Sequence, residues 1–224
     1  MKDYRYILFD LDGTLTDSGK GIVNSVAYSL EKCKIPVGDH EQLYRFVGPP
    51  LVHSYMNFYG FSHEEAVRMV DIYREYYAVK GLFENDVYPG IEALLKKLHQ
   101  SGKILIVATS KPEEYARQIM EHFGLDRYFT YIAGSNMDET RSKKAEVIQY
   151  ALDTCRIREK EKVIMIGDRE HDVYGAREIG IDCIGVLYGY GDRNELEEAG
   201  AAGIAETVSE LTEILLEARK DIEK

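Results

Sequence analysis

The stretch ILFDLDGTLTD, residues 7–17, decides the fold of this 224-residue chain. Its apolar residues 7–9 are typical of a strand that is buried on both faces of a parallel sheet. Side chains alternate along a strand, so Asp10 and Asp12 would point to the same side at its carboxyl end, where open α/β sheets bind ligands. Two neighbouring carboxylates repel each other unless a hard cation such as Mg²⁺ lies between them. For an isolated Asp-x-Asp-Gly, the alternative is a strand followed by an ordinary turn.

Two later segments carry groups that could bind a phosphate. KILIVATSKP predicts a buried strand that ends in Thr109 and Ser110, whose hydroxyl and amide groups could donate to phosphate oxygens. Alternatively, these two residues only cap the helix that follows. RSKKAEVI offers three cations that could bind an anion, and Lys144 is the preferred candidate because it directly precedes the apolar helix face. Lys143 is the rival, and either lysine could instead be a solvated surface charge.

A last strand runs into further acidic residues. KVIMIGDREHD predicts a buried strand followed by Asp168, a candidate metal ligand. Asp172, four residues on, could reach the metal directly, act through water or orient neighbouring groups. It could also be an acidic residue in the first turn of a helix, which the helix dipole favours, and the two roles are compatible.

The spacing of apolar residues divides the chain. Roughly residues 17–84 repeat apolar residues at helical spacing, whereas helix and strand patterns alternate from Val87 onward. Helices between strands predict a parallel, doubly wound sheet. The expected organisation is therefore a core with an insertion.

The string DLDGTLTD, beginning at Asp10, resembles the first motif of the haloacid dehalogenase (HAD) superfamily of phosphotransferases, and the three segments above resemble its later motifs in order. The resemblance implies an α/β fold with a doubly wound, Rossmann-like parallel sheet core and an inserted small all-helical cap domain. We expect the core at residues 1–16 and 85–224 and the cap at 17–84. Ala145 departs from the pattern, since many relatives have proline after the motif lysine.

The resemblance also implies a role for each motif residue. Asp10 would attack phosphorus and form an aspartyl-phosphate, and Asp12 would protonate the leaving oxygen and then activate water. Mg²⁺ would be bound by Asp10, Asp168 and the backbone carbonyl of Asp12. The remaining motif residues would bind phosphate (Thr109, Ser110, Lys144) or support the site (Asp172).

These roles predict a Mg²⁺-dependent phosphatase that hydrolyses a small phosphomonoester, either phosphoglycolate-like or a 5′-nucleotide. A dehalogenase is excluded, because that branch lacks the acid at Asp12 and the metal site. Two alternatives stay open: a phosphosugar mutase of the same superfamily, and a non-catalytic module that binds a phosphorylated metabolite.

Composition limits the partners and the location. The formal net charge of −11 excludes a nucleic-acid polymer as partner, since such surfaces carry basic patches. No apolar stretch is long enough to cross a membrane, so we expect a cytoplasmic protein. Three widely spaced cysteines predict free thiols in a reducing compartment. The expected partner is a small phosphorylated metabolite, and the oligomeric state is left open between monomer and homodimer.

Overall fold

The computed structural model describes residues 2–138 and 140–217, which form two compact units. One unit comprises the described residues up to Leu15 and from Val87 onward, and the other is Thr16–Asp86. The second unit is therefore an insertion in the first. No helix within the described residues is long and apolar enough to cross a membrane.

The first unit is built on six parallel strands. Across the described residues of both units, the strands in chain order are β1 (Tyr6–Phe9), β2 (Thr16–Asp17), β3 (Asp86–Val87), β4 (Ile104–Pro112), β5 (Tyr131–Ser135), β6 (Val163–Gly167), β7 (Asp182–Val186) and β8 (Gly203–Ala205). The large sheet has the order β5-β4-β1-β6-β7-β8, and β2 pairs with β3 as a separate two-residue ribbon.

Helices connect the strands of the sheet, as parallel pairing requires. In chain order they are α4 (Ile91–Gln100), α5 (Glu113–His122), α6 (Lys144–Thr154), α7 (Glu170–Ile179) and α8 (Arg193–Ala199), and a further helix, α9 (Val208–Glu217), follows the last strand. The predicted doubly wound parallel α/β core is confirmed. Residues Leu8, Ile106 and Met165 of three adjacent strands belong to one buried apolar cluster with Ile148 of α6. Burial on both faces explains why β1 and β6 are apolar throughout.

The register of the sheet brings the ends of its central strands together. Tyr6 of β1 lies opposite both Ile104 of β4 and Val163 of β6. After β1, the next strand of the large sheet along the chain is β4, on one side of β1, whereas after β6 it is β7, on the opposite side. The direction in which successive strands are added therefore reverses between β1 and β6. Ligands of open α/β sheets bind at such a reversal, outside the carboxyl ends of the strands.

The inserted unit is helical apart from its two ends. It contains α1 (Gly19–Lys32), α2 (Leu51–Tyr59) and α3 (His63–Tyr77), with short 3₁₀ helices at His40–Phe46 and Gly81–Phe83. Gly21 of α1 lies so close to the second 3₁₀ helix that a Cβ atom there would be 2.0 Å from the Gly81 carbonyl oxygen. The insertion thus has a tightly packed core of its own.

The packing of the sheet generates a test with two matched valines. Val107 of β4 is 0% exposed, whereas Val79 of the inserted unit is 72% exposed. Val107→Ala removes buried methyl groups from a packed core, so we expect a loss of about 2 kcal/mol in the free energy of unfolding. Val79→Ala should stay within about 0.5 kcal/mol of the wild type. Urea denaturation followed by circular dichroism measures both, and equal losses would contradict this difference in packing.

Candidate active site

Three buried carboxylates meet at the carboxyl end of the sheet. Asp10 follows β1, Asp168 follows β6, and Asp172 lies in the first turn of α7. One carboxylate oxygen from each lies within 4.8 Å of those of the other two. We call Asp10, Asp168 and Asp172 the acidic cluster.

Backbone contacts fix the acidic cluster. The amide of Asp10 donates to the Ile166 carbonyl at 2.9 Å, which extends the β1–β6 pairing by one residue. Asp172 accepts a hydrogen bond from the Arg169 amide at 3.2 Å through its Oδ2 and so caps the start of α7. Asp172 therefore has both positions that the sequence left open: it caps a helix and it belongs to the cluster.

Lys144 joins the cluster, whereas Lys143 does not. The Nζ atom of Lys144 lies 2.9 Å from Oδ1 of Asp10 and 2.8 Å from Oδ1 of Asp172. It also donates to the Ala108 carbonyl of β4 at 3.2 Å. Lys143 precedes α6 and is exposed. Of the two candidate lysines, only Lys144 is thus positioned to neutralise charge at the strand ends.

Burial and neighbouring charges shift the pKa values of Asp168, Asp172 and Lys144. Burial, together with the carboxylates of Asp172 and Asp10, raises the pKa of Asp168 well above its usual range. Burial raises the pKa of Asp172 to about 6, although Lys144 attracts its charged form. Burial also disfavours the charge of Lys144, but Asp10 and Asp172 outweigh it and raise the pKa of Lys144. The ammonium group of Lys144 thus does not fully offset the negative charge that these buried carboxylates would carry.

A glycine-containing loop encloses Asp168. The Tyr190 amide donates to its Oδ2 at 2.8 Å, and the Thr14 hydroxyl lies 3.4 Å from its Oδ1. A Cβ atom at Gly189 would lie 2.3 Å from the Gly13 carbonyl oxygen and 2.5 Å from the Asp168 Cβ atom. Gly13 itself has a φ of +79°, and a Cβ there would lie 2.2 Å from Asp168 Oδ2. Only glycine fits these positions.

Asp12 lies apart from the acidic cluster and has a lysine partner of its own. Its Oδ2 lies 2.8 Å from Nζ of Lys111, near the end of β4, and both side chains are nearly buried. Its other oxygen, Oδ1, is buried without a hydrogen-bond partner among the described residues. The sequence analysis did not identify Lys111, because the placement of its side chain depends on an irregularity of β4 between Ala108 and Pro112, which simple alternation along a strand does not predict.

The predicted hydroxyl residues lie on the same stretch of β4. Thr109 is 1% exposed, and its Oγ1 accepts a hydrogen bond from the Lys111 amide at 3.2 Å. Ser110 is half-buried. Thr109 and Ser110 are the two residues after Ala108, whose carbonyl oxygen accepts a hydrogen bond from Lys144. They therefore lie at the same edge of the sheet as Lys144.

The donor set fits a hard divalent cation. Carboxylate oxygens are the ligands that Mg²⁺ prefers, and three of them converge at this edge, two with raised pKa values that a bound cation would lower. Asp12 is not among the described residues that form this group, and its carboxylate contacts Lys111. The assignment of its backbone carbonyl to the metal stays a prediction.

Comparison with known proteins agrees with the sequence motifs. The family model described as haloacid dehalogenase-like hydrolase matches residues 7–186. A 5′-nucleotidase of Pseudomonas aeruginosa is 48% identical over 193 residues, which cover 86% of this chain and 87% of that protein. A tyrosine-protein kinase of Mycobacterium tuberculosis is 39% identical over 93% of this chain and 72% of its own length. A crystal structure described as a predicted phosphatase from Clostridium acetobutylicum superposes with a TM-score of 0.93 and 51% identity, covering 96% of this chain and 99% of that one.

The loop around Asp168 supplies a test with matched glycines. Gly189→Ala forces a Cβ atom against Gly13 and Asp168, so we expect about 1–3 kcal/mol of destabilisation from overpacking. Gly38 has no atom within 4 Å of an added Cβ. Gly38→Ala should therefore be neutral or slightly stabilising, by less than about 1 kcal/mol. Urea denaturation of the two variants checks both values, and a Gly189 variant as stable as the wild type would contradict the close approach.

Proposed function

The chain belongs to the haloacid dehalogenase-like hydrolase family, and from that premise we propose that it is a Mg²⁺-dependent phosphatase that forms an aspartyl-phosphate on Asp10. The observation that carries the proposal is the pairing of two acids with two separate lysines. Asp10 is bound to Lys144 within the acidic cluster, while Asp12 is bound to Lys111 and keeps one oxygen unpaired. These contacts support the assignment of Asp10 as nucleophile and of Asp12 as acid and base.

Asp10 has the fixed orientation that a nucleophile needs. Its Oδ1 is held by Lys144 at 2.9 Å and by the Leu11 amide at 2.8 Å. Covalent catalysis by such a carboxylate splits one difficult displacement into two easier ones. Lys144 would also attract an oxygen of the phosphoryl group, and Thr109 and the Ser110 amide would donate to its remaining oxygens.

Asp12 would move the protons of both steps. In the first step it donates a proton to the leaving oxygen of the ester, and in the second it removes one from the water that attacks the aspartyl-phosphate. The contact of Oδ2 with Lys111 would hold the carboxyl group in place for these transfers.

The side chains of Asp10 and Asp168, with the backbone carbonyl of Asp12, would hold Mg²⁺. Asp172 supports them by binding Lys144 at 2.8 Å. When bound, the cation would neutralise charge on the transferring phosphoryl group.

For the substrate, we propose a small phosphomonoester and favour a 5′-nucleotide over a phosphoglycolate-like compound. The 48% identity to a protein named 5′-nucleotidase supports this choice. We assign substrate selection to the inserted helical unit, Thr16–Asp86, because it interrupts the chain between the first and second motifs. A cytoplasmic location and a monomeric or homodimeric state stay predictions from the sequence.

The nucleophile is tested by phosphate release from 5′-nucleotides, phosphoglycolate and phosphosugars, with and without Mg²⁺. Asp10→Asn should lower release by at least about a thousandfold, because losses of that order follow removal of a nucleophile. Asp153→Asn changes an exposed carboxylate of α6 and should have no effect. Because a relative is named a kinase, ATP with a tyrosine peptide is included, and phosphoryl transfer to the peptide without hydrolysis would contradict the proposal.

The metal site is tested by thermal unfolding without substrate. A ligand that binds only the folded state at a hundred times its Kd stabilises it by about 2.7 kcal/mol, so Mg²⁺ should raise the Tm of the wild type. Asp168→Asn removes a cluster carboxylate and should abolish that rise, whereas Asp153→Asn should keep it. An equal rise in the Asp168 variant would place the metal elsewhere.

A further inference from the structure

Lys111 forms a second buried ion pair, which no motif assignment covers. Its Nζ lies 2.8 Å from Oδ2 of Asp12, with the two side chains 5% and 11% exposed. Exposed ion pairs contribute little, but removal of one partner of a buried pair leaves an uncompensated charge. Since Lys144 binds Asp10 and Asp172, the two lysines contact different acids. Lys111 is thus placed to act on Asp12.

An irregularity in β4 holds the backbone of Lys111 in place. Ala108 pairs with Ala133 of β5 and Pro112 with Ser135, so three residues of β4 lie opposite the single residue Gly134. Bulges of this kind redirect side chains and are frequent beside active sites. A Cβ atom at Gly134 would lie 2.6 Å from the Lys111 carbonyl oxygen, so β5 packs directly against the bulge.

The Lys111 contact distinguishes the two oxygens of Asp12. Oδ2 is bound, and Oδ1 is buried without a hydrogen-bond partner among the described residues. A buried carboxylate oxygen without a partner is costly in a purely structural residue. Such an oxygen is suited to a group that exchanges protons with a substrate and with water.

We propose that Lys111 is a positioning residue for Asp12: it binds Oδ2 and thereby fixes the orientation in which the carboxyl group meets the leaving-group oxygen. The inference rests on the proposed function. In the step concerned, the proton of the neutral Asp12 carboxyl passes to the ester oxygen as the phosphorus–oxygen bond to the leaving group breaks and the bond to Asp10 forms, and the carboxylate that is left pairs with Lys111. Lys111 itself exchanges no proton and acts only through Asp12.

The test compares two substrates whose leaving groups differ in how much they need protonation by an acid. A 5′-nucleotide has an alkoxide leaving group that requires protonation, whereas p-nitrophenyl phosphate has a stable one. Lys111→Met should lower kcat/KM for the nucleotide by at least about tenfold, equivalent to about 1.4 kcal/mol of transition-state stabilisation. It should change p-nitrophenyl phosphate hydrolysis by less than about twofold, and inhibition by inorganic phosphate should be unchanged.

Three further variants separate positioning from folding. Lys103→Met removes another buried, ion-paired lysine, just before the opposite end of β4, and should leave the ratio of the two kcat/KM values at the wild-type level. Lys111→Arg keeps the charge and should recover part of the nucleotide activity. Lys111→Gln repeats the comparison of the two substrates, so that the test does not depend on whether the Met variant folds. Thermal unfolding checks that each variant is folded.

A double-mutant cycle tests whether Lys111 acts through Asp12. In the Asp12→Asn background, Lys111→Met should cost less than about twofold in nucleotide kcat/KM, because contacting residues that act as a unit are not additive. Equal losses for both substrates, with weaker inhibition by phosphate, would overturn the proposal and make Lys111 a phosphate ligand. A wild type without Mg²⁺-dependent release would instead overturn the proposed function, and the inference with it.

Discussion

The ammonium group of Lys144 lies buried between Asp10 and Asp172, and the arrangement of the strand ends depends on it. Parallel strands bring the carboxyl ends of β1 and β6 side by side, so acids placed there are forced together. Without a cation, burial and the neighbouring carboxylates raise the pKa of Asp168 and so favour its protonated form. Lys144 offsets part of the repulsion, and a bound divalent cation would offset more.

Two lysines, Lys111 and Lys144, supply positive charge to the acids of the site. The three acids of the cluster have one ammonium group among them, that of Lys144, and Asp12 is paired with Lys111. With all three cluster acids ionised, Lys144 leaves an excess of about two negative charges, which one divalent cation would offset. Only with that cation bound would the site accept a phosphoryl group without further repulsion.

The sequence predicted features that depend on local pattern. Apolar runs that end in acids predicted the strands before Asp10 and Asp168. Parallel pairing of those strands then explains why the two acids lie close together. The Lys111–Asp12 pair was missed because its geometry depends on a bulge opposite Gly134, which is set by a strand more than twenty residues away in sequence. The contacts of Gly189 with Gly13 and Asp168 likewise depend on tertiary packing, which periodicity does not contain.

The two-residue ribbon of β2 and β3 has a consequence for how this chain can diversify. Because Thr16–Asp17 pairs with Asp86–Val87, the inserted unit starts and finishes at neighbouring points, within the roughly 5 Å that separates paired strands. Segments with adjacent ends can be lengthened, shortened or exchanged at little cost in loop-closure entropy to the host. Changes in the roughly seventy inserted residues therefore need not alter the acids and lysines at the sheet edge, which lie in the other unit.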